Sequence, residues 1–324
     1  MLRHIARRAL IGVLIVAGVI TLTFFLLRLA PGDPVEQLLG PAATPEQVEA
    51  QRHLLGFDRP LPVQYAAWVA RFVTGDWGTS IATGQRVAAM LGRAWPATAV
   101  LVLLSLSLSY ILGILVGAIQ ASTRRRALDT TLSVTTVTLF ALPGYWLGLM
   151  LVMVFTYWLR VLPAFGAAGL DADFLGPGAR IMDRARHIAL PLVTLTLIGV
   201  GGIARYVRGS MLDVRAAPFV MVARSRGIPE RRISLRHVLG NALIPVVTLL
   251  GLSLPAVFSG TVFVEAIFGW PGVGRIMVEA VRARDYPVVM AATTVSAILV
   301  VVGNIVADFL ASRVDPRLRV SDGK

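Results

Sequence analysis

Apolar residues in this chain gather into six long blocks separated by polar stretches. The first covers residues 9–29 and follows Arg3, Arg7 and Arg8. At about 1.5 Å per residue it reaches roughly 30 Å, the thickness of a bilayer's hydrocarbon core. Its basic start resembles a signal peptide, but the apolar run is too long and no small-x-small cleavage site follows. It is predicted as a retained first helix that enters from the cytoplasm. Blocks at 97–121, 130–159, 187–205, 242–263 and 287–311 complete six predicted spans, with both termini on one side. Pro143, Pro191 and Pro255 lie inside blocks and predict kinks. Gly113 with Gly117, and Gly144 with Gly148, have the spacing of close helix packing.

The polar stretch 31–96 is too long for a simple connection and predicts a small helical cap on the extracytoplasmic side. Thr44-Pro45-Glu46-Gln47 has capping-box spacing with proline at the first helical position, and Gly56 supplies a stop. Over 63–73 the pattern puts Tyr65, Trp68, Val69 and Phe72 on one helix face. Trp77 and Trp95 are expected at the headgroup boundary. The cap reads as a lid packed on the bundle, with no catalytic role. The predicted organisation is thus a tail and first helix (1–30), a cap (31–96) and a five-helix core (97–324).

Composition agrees with the pattern. The chain has 324 residues, 56% hydrophobic and 15% charged, with a mean hydropathy of +0.73. These values exclude an ordinary soluble domain. A net charge of +13 and a pI near 11.3 would suit nucleic acid, but the charge lies beside apolar spans, and no nucleic-acid partner is expected. The N-terminus, 122–129, 205–241 and the C-terminus hold 18 of the 31 basic residues and a net +13. The opposite side is near balance, at +1. Positive-inside asymmetry therefore makes the first set cytoplasmic.

Candidate chemistry is sparse. There is no cysteine, and lysine occurs only at Lys324. A Walker A loop needs a lysine after its glycines, so this chain has no P-loop of its own. No zinc-protease, nucleophile-elbow or EF-hand spacing occurs. His4, His53, His187 and His237 are scattered, and no metal or catalytic residue is predicted. Within the spans the ionisable exception is Asp308, one turn after Asn304, read as helix-to-helix glue rather than a proton relay.

The polar loop 205–241 carries the most specific pattern. Ala223 and Gly227 stand four apart and are expected on one slim helix face that a partner surface could approach closely. Pro229 is expected to break that helix, and Arg224, Arg226, Arg231 and Arg232 to pair with acidic groups or lipid headgroups. The loop therefore reads as a docking element.

Several segments, in order, resemble the permease subunits of bacterial ATP-binding-cassette importers of the dipeptide, oligopeptide and nickel group. They are 28–34 (RLAPGDP), 58–65 (DRPLPVQY), 75–80 (GDWGTS), 265–275 (EAIFGWPGVGR), 284–287 (RDYP) and 315–317 (DPR). The resemblance implies an all-α polytopic membrane protein with six transmembrane helices and the type I importer permease fold. It also implies a coupling motif whose first positions are Met221, Val222 and Ala223. The acidic residue of the general motif is absent there. The implied ATPase-coupling residues are Ala223, Arg224, Arg226, Gly227, Ile228, Pro229 and Glu230, on a helix over 223–230. Gly269, Trp270, Pro271, Gly272 and Gly274 become an outer gate or binding-protein dock, with Trp270 as an interfacial anchor the plainer alternative. Implied partners are a second homologous permease, two cytoplasmic ATPases that bind ATP and Mg, an extracytoplasmic substrate-binding protein and membrane lipid. The chain itself would hold no cofactor. The rival reading is a self-sufficient passive channel or an ion-coupled secondary transporter.

Overall fold

The computed structural model describes residues 2–29 and 32–314. Pro31 and the 315–317 motif lie outside these residues, as do the side chains of His4, Pro255 and Asp308. Helices dominate the described chain: α1 (Leu2–Leu29), α2 (Pro34–Leu39), α3 (Pro45–Leu55), α4 (Leu61–Val73), α5 (Val87–Ser122), α6 (Arg126–Ala141), α7 (Gly144–Val152), α8 (Pro177–Arg215), α9 (Pro218–Ser225), α10 (Glu230–Arg232), α11 (Leu239–Ile267), α12 (Val273–Arg282) and α13 (Tyr286–Val314). No β-strand occurs among the described residues, only one isolated bridge between Thr79 and Arg86.

Four helical stretches, Arg7–Leu29, Val87–Ser122, Pro177–Arg215 and Tyr286–Val306, are long and apolar enough to cross a membrane. The third predicted span is not one helix. Arg126–Ala141 and Gly144–Trp158 meet at 105°. Leu142 is extended (φ −71°, ψ 135°) because proline at the next position disfavours the helical region, and Pro143 has no N–H to continue the ladder. The fourth span also differs from expectation. α8 runs 39 residues as one continuous helix that contains Pro191 and extends past Arg205. Ile203, Val207 and Met211, all buried at helical spacing, carry its inner stripe beyond the apolar block.

The chain forms two compact units, Met1–Thr98 with Pro271–Val302, and Ala99–Trp270 with Gly303–Lys324. In the first, Thr44 and Gln47 form the reciprocal capping box, Pro45 opens α3, and Gly56 closes it at φ 69°. Asp33 caps α2 by accepting from the Val35 N–H at 2.8 Å and forms an ion pair with Arg52. Tyr65 reaches the Thr21 hydroxyl at 2.7 Å. Trp68, Phe72 and Trp77 stack with centroids 5.1 and 5.3 Å apart. Trp77 and Trp95 pack on a core of Val87, Leu91, Ala94, Val273, Ala280 and Val288.

The second unit is built on α8. Its core joins Leu106, Tyr110, Ile203, Val207, Met211, Val220 and Ile233. Gly113 and Gly117 work as expected. A methyl on Gly117 would stand 2.6 Å from the Ala204 carbonyl oxygen, so only glycine lets α5 lie against α8. Gly201 does the same for α6, where a methyl would be 2.6 Å from the Thr136 carbonyl oxygen.

Candidate coupling platform and outer motif cluster

α9 begins at Pro218, immediately after α8 ends, and stops at Ser225. Its stop is a complete Schellman motif. The Gly227 N–H donates to the Arg224 carbonyl at 2.9 Å, and the Ile228 N–H to the Ala223 carbonyl at 3.2 Å. Gly227 sits at φ +71°, the left-handed conformation such a stop requires. The expected helix over 223–230 is therefore displaced: the helix is 218–225, and Gly227 is the turn that ends it. Pro229 does not break α9; it precedes α10 in extended conformation.

The small-residue face is also corrected. Ala223 is buried against the unit's core beside Val220, with Ile228 packed on the same cluster. Ala223 is small because of what lies inside the chain. The outward face instead carries Phe219, Met221 and Val222, with Met221 72% exposed. Sequence reasoning attended to the charges and passed over these apolar residues. The readable signal was an apolar run inside a basic loop.

The charges around α9 are ordered. Arg224 donates to Glu230 at 2.7 Å across the turn, and this hydrogen bond holds the Glu230 carboxyl below its ordinary range. Arg215 donates to the Ser234 hydroxyl at 2.8 Å. Arg208 grips Asp129 through two nitrogens, at 3.1 and 2.9 Å, which ties α8 to α6. Arg205 lies over the Phe140 ring at 4.9 Å. Arg226, Arg231 and Arg232 are exposed, Arg226 just past the end of α9 and Arg231 and Arg232 in α10. The result is a short rigid helix, anchored from beneath, that offers an apolar strip edged with guanidinium groups.

At the other end of the chain the motifs converge within the first unit. Asp285, buried to 2% exposure, accepts from the Ser80 hydroxyl and from the Ile81 and Ala82 N–H groups at 3.1 and 3.2 Å. Arg284, just before it, sits at φ +53° and ends α12 with the same pair of Schellman bonds, Asp285 to Ala280 and Arg284 to Val281. Arg28 lies over the rings of Phe57, Tyr286 and Phe24, at 4.4, 5.2 and 5.4 Å. Three of the motifs noted above, 28–34, 75–80 and 284–287, thus supply residues here.

Trp270 is buried, at 7% exposure, which contradicts an interfacial anchor. Gly269, at φ +58°, turns the chain after α11, and the Trp270 N–H donates to the Glu265 carbonyl at 2.9 Å. Gly272 caps α12, whose Val273 N–H donates to the Thr98 hydroxyl at 2.9 Å. Gly272 and Gly274 are buried, and Pro271 is the exposed member of this segment. His53 faces Asp58 at 3.0 Å, and His187 is buried beside Asp183 at 3.3 Å. Asn304 holds a buried amide oxygen without a hydrogen-bond partner.

The second unit also encloses a cavity of about 630 Å³ lined by Ser105, Ser109, Tyr110, Tyr145, Tyr206 and Ser253 among apolar residues. Among the described residues no charged side chain lines it, and Pro143 and Gly144 of the α6–α7 corner do.

Comparison with known proteins gives the family. Residues 110–320 match the family described as binding-protein-dependent transport system inner membrane component, and residues 1–114 match the N-terminal part of the membrane component of such systems. The oligopeptide transport system permease protein AppB of Bacillus subtilis is 38% identical over 98% of this chain and 99% of its own length. The probable D,D-dipeptide transport system permease protein DdpB of Escherichia coli is 36% identical, covering 96% of each chain. A solved chain of the MetNI methionine ABC transporter, inward facing, superposes with a TM-score of 0.54 at 17% identity, covering 70% of this chain and 96% of that one. That likeness concerns the fold. Matched across nearly its whole length, the chain belongs to the inner-membrane permease components of binding-protein-dependent ABC transport systems.

Proposed function

We propose that this chain is one permease subunit of an ATP-driven importer of di- or oligopeptides, and that α9 is the element through which ATPase motion reaches it. The carrying observation is the α9 platform, where Val220 and Ala223 fix the helix from inside and Phe219, Met221 and Val222 face out among arginines. An apolar centre with a charged rim is the anatomy of a protein-docking surface. Ala223, Gly227 and Ile228 set its shape, Arg224 with Glu230 stiffens the turn, and Arg226 with Pro229 borders it.

In this reading α1, α5, the bent pair α6–α7, α8, α11 and α13 are the six spans, with both termini cytoplasmic. Residues 31–96 form the extracytoplasmic cap, and 97–324 the permease core. A second permease completes the pathway, two ATPase subunits bind ATP and Mg, and an external binding protein delivers solute to the side bearing Pro271. The Tyr- and Ser-lined cavity serves as part of the pathway wall. Non-helical backbone at membrane depth is tolerated only inside protein or beside water, and the Leu142–Pro143 corner lies on that cavity. Hydroxyl groups without charge suit a peptide backbone while leaving charge selection to the binding protein.

The test is reconstitution with the partner subunits. Met221→Asp with Val222→Asp should abolish ATPase co-purification and ATP-dependent peptide uptake while membrane insertion persists. Uptake at full rate in liposomes without any ATPase would instead establish the passive or ion-coupled alternative.

A further inference from the structure

We propose that the cavity at the Arg28 end of α1 is a binding site for the phosphate of an anionic lipid headgroup. The cavity, about 210 Å³, lies wholly within the first unit. Arg28, Arg59 and Arg71 line it, against a single carboxylate, Asp76. Asp76 is already engaged in accepting from the Gly78 N–H at 3.1 Å. None of the three arginines forms an ion pair among the described residues, whereas Arg52 of α3 takes both Asp33 and Glu49. Gln64 donates to the Phe57 and Arg59 carbonyls at 3.1 and 2.6 Å, which fixes the loop that carries Arg59.

Arg28 lies over three aromatic rings, and its guanidinium lines the cavity with no carboxylate in ion-pair range among the described residues. Asp33, which also acts on Arg28, is already paired with Arg52, so three guanidinium groups against Asp76 leave a surplus of positive charge that a phosphate would neutralise. The surroundings point to lipid as its source. Only 11% of α1's most apolar window is buried. Leu22, Phe25, Leu26 and Leu29 repeat at helical spacing as an exposed stripe that ends at the turn of Arg28. Trp68 and Trp77 line the same cavity, the side chains that favour headgroup depth. An acyl chain on the stripe would bring its phosphate to the arginines. This inference rests on α1 lying in the membrane, not on the peptide-import reading or on which side the cap occupies.

The experiment is native mass spectrometry of the full-length permease in detergent with phosphatidylglycerol, phosphatidylcholine, inorganic phosphate or a tripeptide added separately. Phosphatidylglycerol should be retained over phosphatidylcholine, and Arg59→Gln and Arg71→Gln should each weaken it about fivefold. Arg28→Gln should weaken it further; if that variant unfolds on heating below wild type, the two rim variants decide. Equal retention of both lipids, displacement by an equal concentration of phosphate or tripeptide, or unchanged binding in both rim variants would overturn the proposal. Neither ATPases nor transport enter the measurement, so its failure leaves the function above untouched.

Discussion

The Ser80 hydroxyl donates to the carboxylate of Asp285, a residue 205 positions away, and the N–H groups of Ile81 and Ala82 converge on the same buried group. Ser80 Oγ in turn accepts from the Thr83 N–H at 3.0 Å, so one carboxylate orders the whole 80–83 turn. Asp285→Ala should strand three donors and cost about 3 kcal/mol, with Ser80→Ala costing about 1 kcal/mol. Thermal unfolding of the purified permease measures both. A wild-type midpoint for Asp285→Ala would show that the carboxylate does not hold the turn.

Gly227 needs its backbone, not its lack of bulk. A methyl there meets nothing within 4 Å, but φ is +71°. Gly227→Ala and Gly227→Leu should therefore lose similar stability, about 1 kcal/mol, and Gly227→Asn less. Any further loss of ATPase association in the leucine variant alone would reveal that a partner passes close to this position.

Gly201 presents the opposite case. Its added methyl would meet the Thr136 carbonyl oxygen at 2.6 Å and the Phe140 nitrogen at 2.8 Å, both backbone atoms of α6. Gly201→Ala should cost about 1–3 kcal/mol by overpacking. Gly209→Ala, in the same helix with nothing within 4 Å, should be neutral or mildly stabilising. Equal midpoints for the two would mean that α6 moves aside at little cost.

Acid should loosen the α2–α3 corner. Burial pushes the Asp33 carboxyl up, but the Arg52 guanidinium and the Val35 N–H together bring it below the ordinary 3.8. A depressed carboxylate stabilises the fold above its unfolded value, and that contribution fades as pH falls through the folded one. The unfolding midpoint should drop from about pH 5 to pH 3, and Asp33→Asn should flatten this part of the profile. An unchanged profile in the variant would assign the acid sensitivity to another group.

What could be read from sequence was what physics settles within a turn or two. The Thr44–Gln47 box, the Gly56 stop and the Gly113–Gly117 groove each depend on a few neighbouring side chains, and each formed as read. Pro143 signalled a kink, but a 105° corner depends on what both arms pack against, which no local pattern encodes. Ala223 was misjudged for a related reason. A small residue fits equally well under a partner or under its own core, and only the position of Ile203, Val207 and Met211 decides. The Arg28 and Asp285 clusters use residues from distant segments, so the motifs were visible while their meeting was not.

The length of α8 carries a mechanical consequence. Thirty-nine residues of continuous helix extend about 58 Å, nearly twice the hydrocarbon thickness of a bilayer. Its middle packs closely on α6 through Gly201 and on α5 through Gly117. α9 begins three residues past Arg215, at one tip, while Asp183 and His187 lie near the other. In the proposed coupling, a push on Met221 would act on this long helix as on a lever, with those contacts as the fulcrum.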